Sequence, residues 1–165
     1  MLGDSGVGKT SLVRRYVLGE FSDTYQTTLG VNIYKFQDQV DGPDGQPVEV
    51  KQILWDVEGG LQRQSLLDSY LRGAAGAIVV GDLSREDPLT PMRENAERFR
   101  RARPGRPAVF ALNKSDLVDG PPQVEGAEDL AADFQGELIY TSAASGDQVP
   151  NLFCALAGRI LVLDG

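Results

Sequence analysis

Residues 3–10 read Gly3-Asp4-Ser5-Gly6-Val7-Gly8-Lys9-Thr10, a complete G-x-x-x-x-G-K-[ST] loop. The chemistry that this spacing serves is polyphosphate binding. Glycines let successive backbone N–H groups turn inward around a pyrophosphate without Cβ clashes, and a lysine at position 9 reaches the β- and γ-phosphates. The Thr10 hydroxyl can hold Mg²⁺. A helix starting here points its positive end at the anion.

Three further polar clusters each follow an apolar run. After Ile53-Leu54-Trp55 comes Asp56-Val57-Glu58-Gly59, a D-x-x-G. Its carboxylate suits Mg²⁺ held through a water, and the Gly59 N–H suits a γ-phosphate. After Phe110-Ala111-Leu112 comes Asn113-Lys114-Ser115-Asp116. Asp116 can accept two hydrogen bonds, from the N1–H and exocyclic amine of guanine, edges that adenine does not present. The Lys114 stem can lie along the base, and Asn113 can tie this loop to the phosphate loop. After Leu138-Ile139-Tyr140-Thr141 comes Ser142-Ala143-Ala144, where a backbone N–H can meet guanine O6.

The elements that must position these clusters alternate. Leu12, Val13, Tyr16 and Val17 mark one face of a helix after the phosphate loop, with Gly19 suited to its C-cap. Two extended stretches, about 31–40 and 48–56, flank a Gly/Pro/Asp-rich turn at 41–47. Runs at 77–80, 108–112 and 138–140 have the composition of buried parallel strands. Helices are expected near 64–72, 92–103, 125–134 and 149–163, the last with Pro150 in its first turn. Such alternation predicts a doubly wound α/β domain covering 1–165, with ligands outside the carboxyl ends of the strands.

In this order along nearly the whole chain, the four motifs resemble those of the Ras superfamily of small GTPases. Finer residues resemble the Rab branch: the phosphate loop continued by Ser11-Leu12, then Thr28-Leu29-Gly30-Val31, Trp55-Asp56 and Ser69-Tyr70-Leu71-Arg72-Gly73-Ala74. The resemblance implies a P-loop NTPase fold, a mostly parallel sheet with one antiparallel edge strand and helices on both faces. It implies GTP or GDP as the bound nucleotide, with Mg²⁺ held by Thr10, Thr28 and Asp56. Thr28 and Gly59 would sense the γ-phosphate and, with Lys9, serve its hydrolysis. Phe21 would pack across the guanine edge, Tyr25 would cover the phosphates, and Ser11 would join the nucleotide-binding residues.

The chain departs from the family pattern in several places. Where the second switch carries a glutamine that orients the attacking water, this chain has Gly60, which has no side chain to position anything. Hydrolysis unaided by a partner is expected to be slow, because a misplacement of about 1 Å can cost roughly 10²-fold. Glu58 stands where the family has a small residue. Like charges about 4 Å apart repel by about 4 kcal/mol at an effective dielectric near 20, so its carboxylate must face the γ-phosphate, turn outward, pair with Arg63 or be protonated. Re-registering the loop would let Gln62 or Gln64 substitute. Ala144 replaces a lysine. A central strand should precede the phosphate loop, where only Met1 and Leu2 stand, and an upstream extension of about one strand is expected. No prenylation cysteine closes the sequence. Arginine outweighing lysine is compatible with a bacterial source.

Composition narrows the alternatives. The 165 residues carry 24 acidic against 16 basic side chains, which argues against duplex nucleic acid as a partner. The one basic stretch, Arg98, Arg100, Arg101, Arg103 and Arg106, reads as a solvated helix face. With no histidine, His-based acid–base chemistry and His-ligated metals are excluded. The single cysteine, Cys154, sits at helical spacing among apolar residues and is expected to be buried packing. No apolar run is of membrane-spanning length, and a cytoplasmic monomer is expected. Two functions stay open: a GTP-hydrolysing switch whose effector, exchange factor and activating protein are unidentified, and a GTP-bound interaction module that does not hydrolyse. An ATP-using P-loop kinase or ATPase is disfavoured by Asn113-Lys114-Ser115-Asp116.

Overall fold

The computed structural model describes residues 1–24, 26–59 and 64–165, with residues 64–66 described by backbone alone. In chain order the elements are α1 (Lys9–Leu18), β1 (Val31–Asp41), β2 (Pro47–Val57), α2 (Gln64–Leu71), β3 (Ala77–Asp82), α3 (Leu89–Ala102), β4 (Ala108–Asn113), a 3₁₀ turn (Ser115–Leu117), α4 (Ala127–Asp133), β5 (Leu138–Thr141) and α5 (Val149–Asp164). Each strand and helix expected after the phosphate loop forms. α3 starts earlier than its apolar spacing suggests, because Asp87 Oδ1 accepts the Leu89 and Thr90 N–H groups at 3.1 and 3.0 Å and caps the first turn.

β3, β4 and β5 pair in parallel, and β1 and β2 form an antiparallel hairpin. Met1 and Leu2 lie between the two sets. The Met1 amine donates to Trp55 O of β2 at 2.8 Å, while Leu2 N–H donates to Ile78 O and Leu2 O accepts from Val80 N–H, both at 2.8 Å. The lane where a central strand is expected is thus held by a single parallel bridge, Leu2 to Val79.

Alternation along the strands splits the core into two layers. Ile78, Val80, Val109 and Ala111 pack against Leu12 and Val13 of α1 and Leu152 and Phe153 of α5. Val79, Phe110 and Leu112 face Leu67 of α2, Met92 and Phe99 of α3 and Leu130 of α4. Burying each such side chain contributes about 1.5–3 kcal/mol, enough to fix the strand register. That register sets Asp82 beside Asn113 and Asn113 beside Thr141, so three polar residues meet at the carboxyl ends of three apolar strands.

Two sequence expectations are corrected here. Cys154 is half-buried, not fully packed, because its position on α5 faces a polar cluster: its Sγ lies 3.8 Å from Asp38 Oδ2, which also accepts from Tyr16 Oη. The arginine stretch is not a solvated face throughout. Arg103 donates to Arg72 O and Arg106 to Ala75 O, satisfying carbonyls of the α2–β3 connection, and Arg106 forks onto Asp164 at 2.5 and 2.9 Å. Arg100 lies over the Phe134 ring, 4.5 Å from its centroid. No helix among the described residues is long and apolar enough to cross a membrane.

Candidate nucleotide-binding site

The phosphate side is built where residues 1–3 give way to α1. Gly8 holds φ 102°, and a Cβ there would stand 2.2 Å from Asn113 Nδ2. Only glycine lets the loop pass this close to Asn113, whose amide donates to Val7 O at 3.0 Å. Lys9 is 6% exposed, and its ammonium donates to Gly3 O and Asp4 O, both at 2.8 Å. Burial lowers its pKa to about 8, even though the carboxylates of Asp56 and Asp4 favour the charged form. Among the described residues its hydrogen bonds go to neutral carbonyls alone, which leaves the ammonium poised for an anion. Gly59 of the D-x-x-G closes over the loop so tightly that a Cβ would lie 2.4 Å from Ser5 N.

Thr10, Thr28 and Asp56 converge. Thr10 Oγ1 donates to Asp56 Oδ2 at 2.6 Å, and having spent its one proton it accepts from Thr28 Oγ1 at 2.7 Å. Asp56 is fully buried, and its Oδ1 has no partner among the described residues. Burial pushes its carboxyl above the usual range despite Thr10 and Lys9, which favour the ionised form. An orphaned carboxylate oxygen beside two hydroxyls is a hard-oxygen donor set that fits Mg²⁺. These are the residues that could hold the ion.

The base side is fixed by Asn113. Its Oδ1 accepts from Thr141 Oγ1 and Ala143 N–H, both at 3.2 Å, so one side chain joins the phosphate loop, β4 and the loop after β5. Ser142 Oγ donates to Asp116 Oδ1 at 2.6 Å, leaving the rest of that carboxylate for a ligand. Lys114 Nζ donates to Asp82 Oδ2 at 2.6 Å. Burial works against the charge on Asp82, but the bonds from Lys114 and Ser84 outweigh it and hold the carboxyl below its ordinary value.

A cleft of about 390 Å³ runs between the two sides. Of the residues expected to serve it, Ser5, Gly6, Gly8, Lys9, Thr10, Ser11, Phe21, Thr28, Gly59, Asn113, Lys114, Asp116, Ala143 and Ala144 line it. Asp56 lies buried behind Thr10. Three others, Asp4, Val7 and Ser142, are not brought to the cleft by their side chains. Asp4 turns to Arg85 at 3.9 Å and offers only its carbonyl to Lys9. Val7 is core, and its carbonyl anchors Asn113. Ser142 acts through Asp116. Glu58 also lines the cleft and accepts the Gly30 N–H on Oε2 at 2.9 Å, a partner outside the alternatives read from the sequence. Tyr25, Gly60, Gln62 and Arg63 lie outside the described residues, as does the Gln64 side chain.

Sequence reasoning missed three contributors. Asp82, an acid ending a wholly buried strand, carried a legible signal. Arg85, whose Nη2 donates to Ser5 O at 2.6 Å, and Arg15 of α1 look like ordinary surface cations in sequence.

A family model, the Ras family, matches residues 1–162. The GTP-binding protein ypt5 of Schizosaccharomyces pombe is 33% identical over 167 aligned positions, covering 99% of this chain and 77% of its own length. The human Ras-related protein Rab-22A is 30% identical over 166 positions, covering 97% of this chain and 81% of its own. The Ras-related protein Rab5 of Nicotiana tabacum is 31% identical over 162, with 97% and 78% covered. With the phosphate loop, the orphaned Asp56 and the Asn113–Asp116 corner in the places such a site requires, the chain belongs to the Ras family and is a Rab-like small GTPase.

Proposed function

We propose that this single G domain is a Mg²⁺-dependent guanine-nucleotide switch whose own hydrolysis of GTP is slow. The observation that carries the reading is the meeting of Thr10, Thr28 and the partnerless Asp56 Oδ1 at one end of a cleft whose other end holds Asp116. Thr10, Thr28 and Asp56 hold the ion, which when bound neutralises charge on the β- and γ-phosphate oxygens. Lys9 exchanges its carbonyl partners for phosphate oxygens. The Gly59 N–H and the Thr28 hydroxyl report whether a γ-phosphate is present, and their loops carry that state to the surface. There Leu29 is 82% exposed, and on the hairpin Ile33, paired with Trp55, and Ile53 are exposed too, apolar surface suited to an effector. The protein works as a cytoplasmic monomer in this reading.

Slow hydrolysis rests on Gly60, which leaves the attacking water without the side chain that orients it. An activating protein that supplies the absent group, such as an arginine, is the route to turnover. Single-turnover hydrolysis of preloaded GTP tests this: a slow rate raised by Gly60→Gln supports a disabled enzyme, and a fast rate in the unaltered protein rejects the reading. Equal-concentration competition between GDP and ADP tests the base, with ADP winning the outcome that rejects guanine. Asp116→Asn is expected to weaken GDP binding, because one acceptor becomes a donor.

Glu58 favours a second reading, an interaction module that keeps GTP. Its bond to Gly30 ties the Thr28 loop to the D-x-x-G without help from a nucleotide. The nucleotide that co-purifies separates the two, since GTP in place of GDP would mean stalled turnover.

A further inference from the structure

We propose that Arg15 is the positioning residue for guanine O6 recognition, replacing through α1 the support that a side chain at Ala144 cannot give. The inference rests on the guanine reading above. Arg15 Nε donates to Ala143 O at 2.7 Å, Nη2 donates to Ala144 O, and Nη1 donates to Gly19 O at 3.3 Å. Its Cζ lies 5.8 Å from the centre of the Phe21 ring, which lines the cleft. One guanidinium thus braces two loops bordering the base end of the cleft.

The consequence follows from peptide geometry. In a planar trans peptide the N–H points opposite to the C=O of the preceding residue. Drawing the Ala143 carbonyl onto Arg15 therefore turns the Ala144 N–H away from α1. Drawing the Ala144 carbonyl does the same to the Ser145 N–H, which donates to Ser142 Oγ at 3.0 Å. The Ala143 N–H is spent on Asn113 Oδ1. Among the described residues this leaves the Ala144 N–H as the free donor of the segment, in a residue that lines the cleft. A fixed N–H there donates to an oxo group and rejects an amino group, which separates guanine from adenine independently of Asp116. Lysine at position 15 has no planar fork and cannot reproduce the fixed geometry by which one guanidinium meets Ala143 O, Ala144 O and Gly19 O together.

The test compares GDP with 6-thio-GDP, which keeps N1–H and the 2-amino group but puts sulfur, a poor acceptor, in place of O6. Arg15→Ala and Arg15→Lys are measured beside the unaltered protein, with thermal melts to report folding. The unaltered protein should prefer GDP, and Arg15→Ala should shrink that preference by about fivefold, the worth of one neutral hydrogen bond. Arg15→Lys should shrink it less, and it carries the test if the alanine variant does not fold. A preference that survives both changes overturns the proposal. So does equal weakening of both nucleotides, which would mark Arg15 as merely structural. An unaltered, folded protein that binds neither nucleotide rejects the guanine reading itself.

Discussion

Glu58 and Gly30 hold each other twice: Glu58 N–H donates to Gly30 O at 2.8 Å, and Gly30 N–H donates to Glu58 Oε2 at 2.9 Å. The first bond extends the β1–β2 ladder by one rung beyond Val31 and Val57. The second belongs to this side chain, and it turns a family position occupied by a small residue into a clasp between the loop that carries Thr28 and the D-x-x-G segment. It also spends the carboxylate on a donor, which lessens the repulsion a free charge would direct at a γ-phosphate.

Removing the clasp should loosen the Thr28 loop. In Glu58→Ala the Gly30 amide loses its acceptor, and hydrogen exchange at that amide is expected to quicken by about five- to tenfold, the range of one part-exposed charge-assisted bond. Amides in β4 should not change. Exchange at Gly30 identical to that of the unaltered protein would mean that the clasp does not form in solution.

Asp56 should couple nucleotide retention to magnesium. Its Oδ2 accepts from Thr10, while its Oδ1 has no hydrogen-bond partner among the described residues and is left for a cation. EDTA should speed release of a fluorescent GDP from the unaltered protein by at least about tenfold. In Asp56→Ala release should already be fast, and EDTA should add little. A large EDTA effect persisting in the variant would place the ion elsewhere.

Most of the scaffold was legible in sequence because its signals are local. β3 and β4 are unbroken apolar runs, and both are buried along their whole length. The phosphate-loop and base-recognition motifs are fixed spacings that a single segment reveals. What stayed hidden depends on partners far along the chain. Arg15 meets Ala143 across a separation of 128 residues, and nothing near position 15 marks that meeting. Glu58 had Arg63 as its one named partner in sequence, and its bond to Gly30 follows from the pairing of β1 with β2, which no local signal marks. Cys154 looked apolar by its helical neighbours, whereas its surroundings are set by Asp38 on a strand.

Asp82 should make stability acid-sensitive. Its carboxyl lies below the ordinary value of 3.8 in the folded protein, so the unfolded chain takes up the proton first as pH falls. The stabilisation is therefore complete above the unfolded value and disappears as pH drops through the lower folded one. Asp82→Asn should cost about 2 kcal/mol near pH 6, since the side chain is 4% exposed and receives a charged bond from Lys114. The difference between variant and parent should shrink in denaturant melts as pH falls below 3.8. A gap that stays constant with pH would show that Lys114 does not favour the ionised form.

Cys154 should be a slow thiol. Burial pushes its pKa up, and the Asp38 carboxylate beside it pushes the same way, so thiolate is scarce at neutral pH. Alkylation by iodoacetamide at pH 8 should run at least about tenfold slower than in the urea-unfolded chain, and it should accelerate only as pH climbs past 9. Asp38→Asn removes the nearby negative charge and should speed the folded-state reaction, because the thiolate then forms at lower pH. The same change takes away the carboxylate that accepts from Tyr16 Oη at 2.5 Å, so a melt must accompany the rates. If the variant stays folded and its thiol reacts no faster, burial alone governs Cys154 and the Asp38 contact contributes nothing.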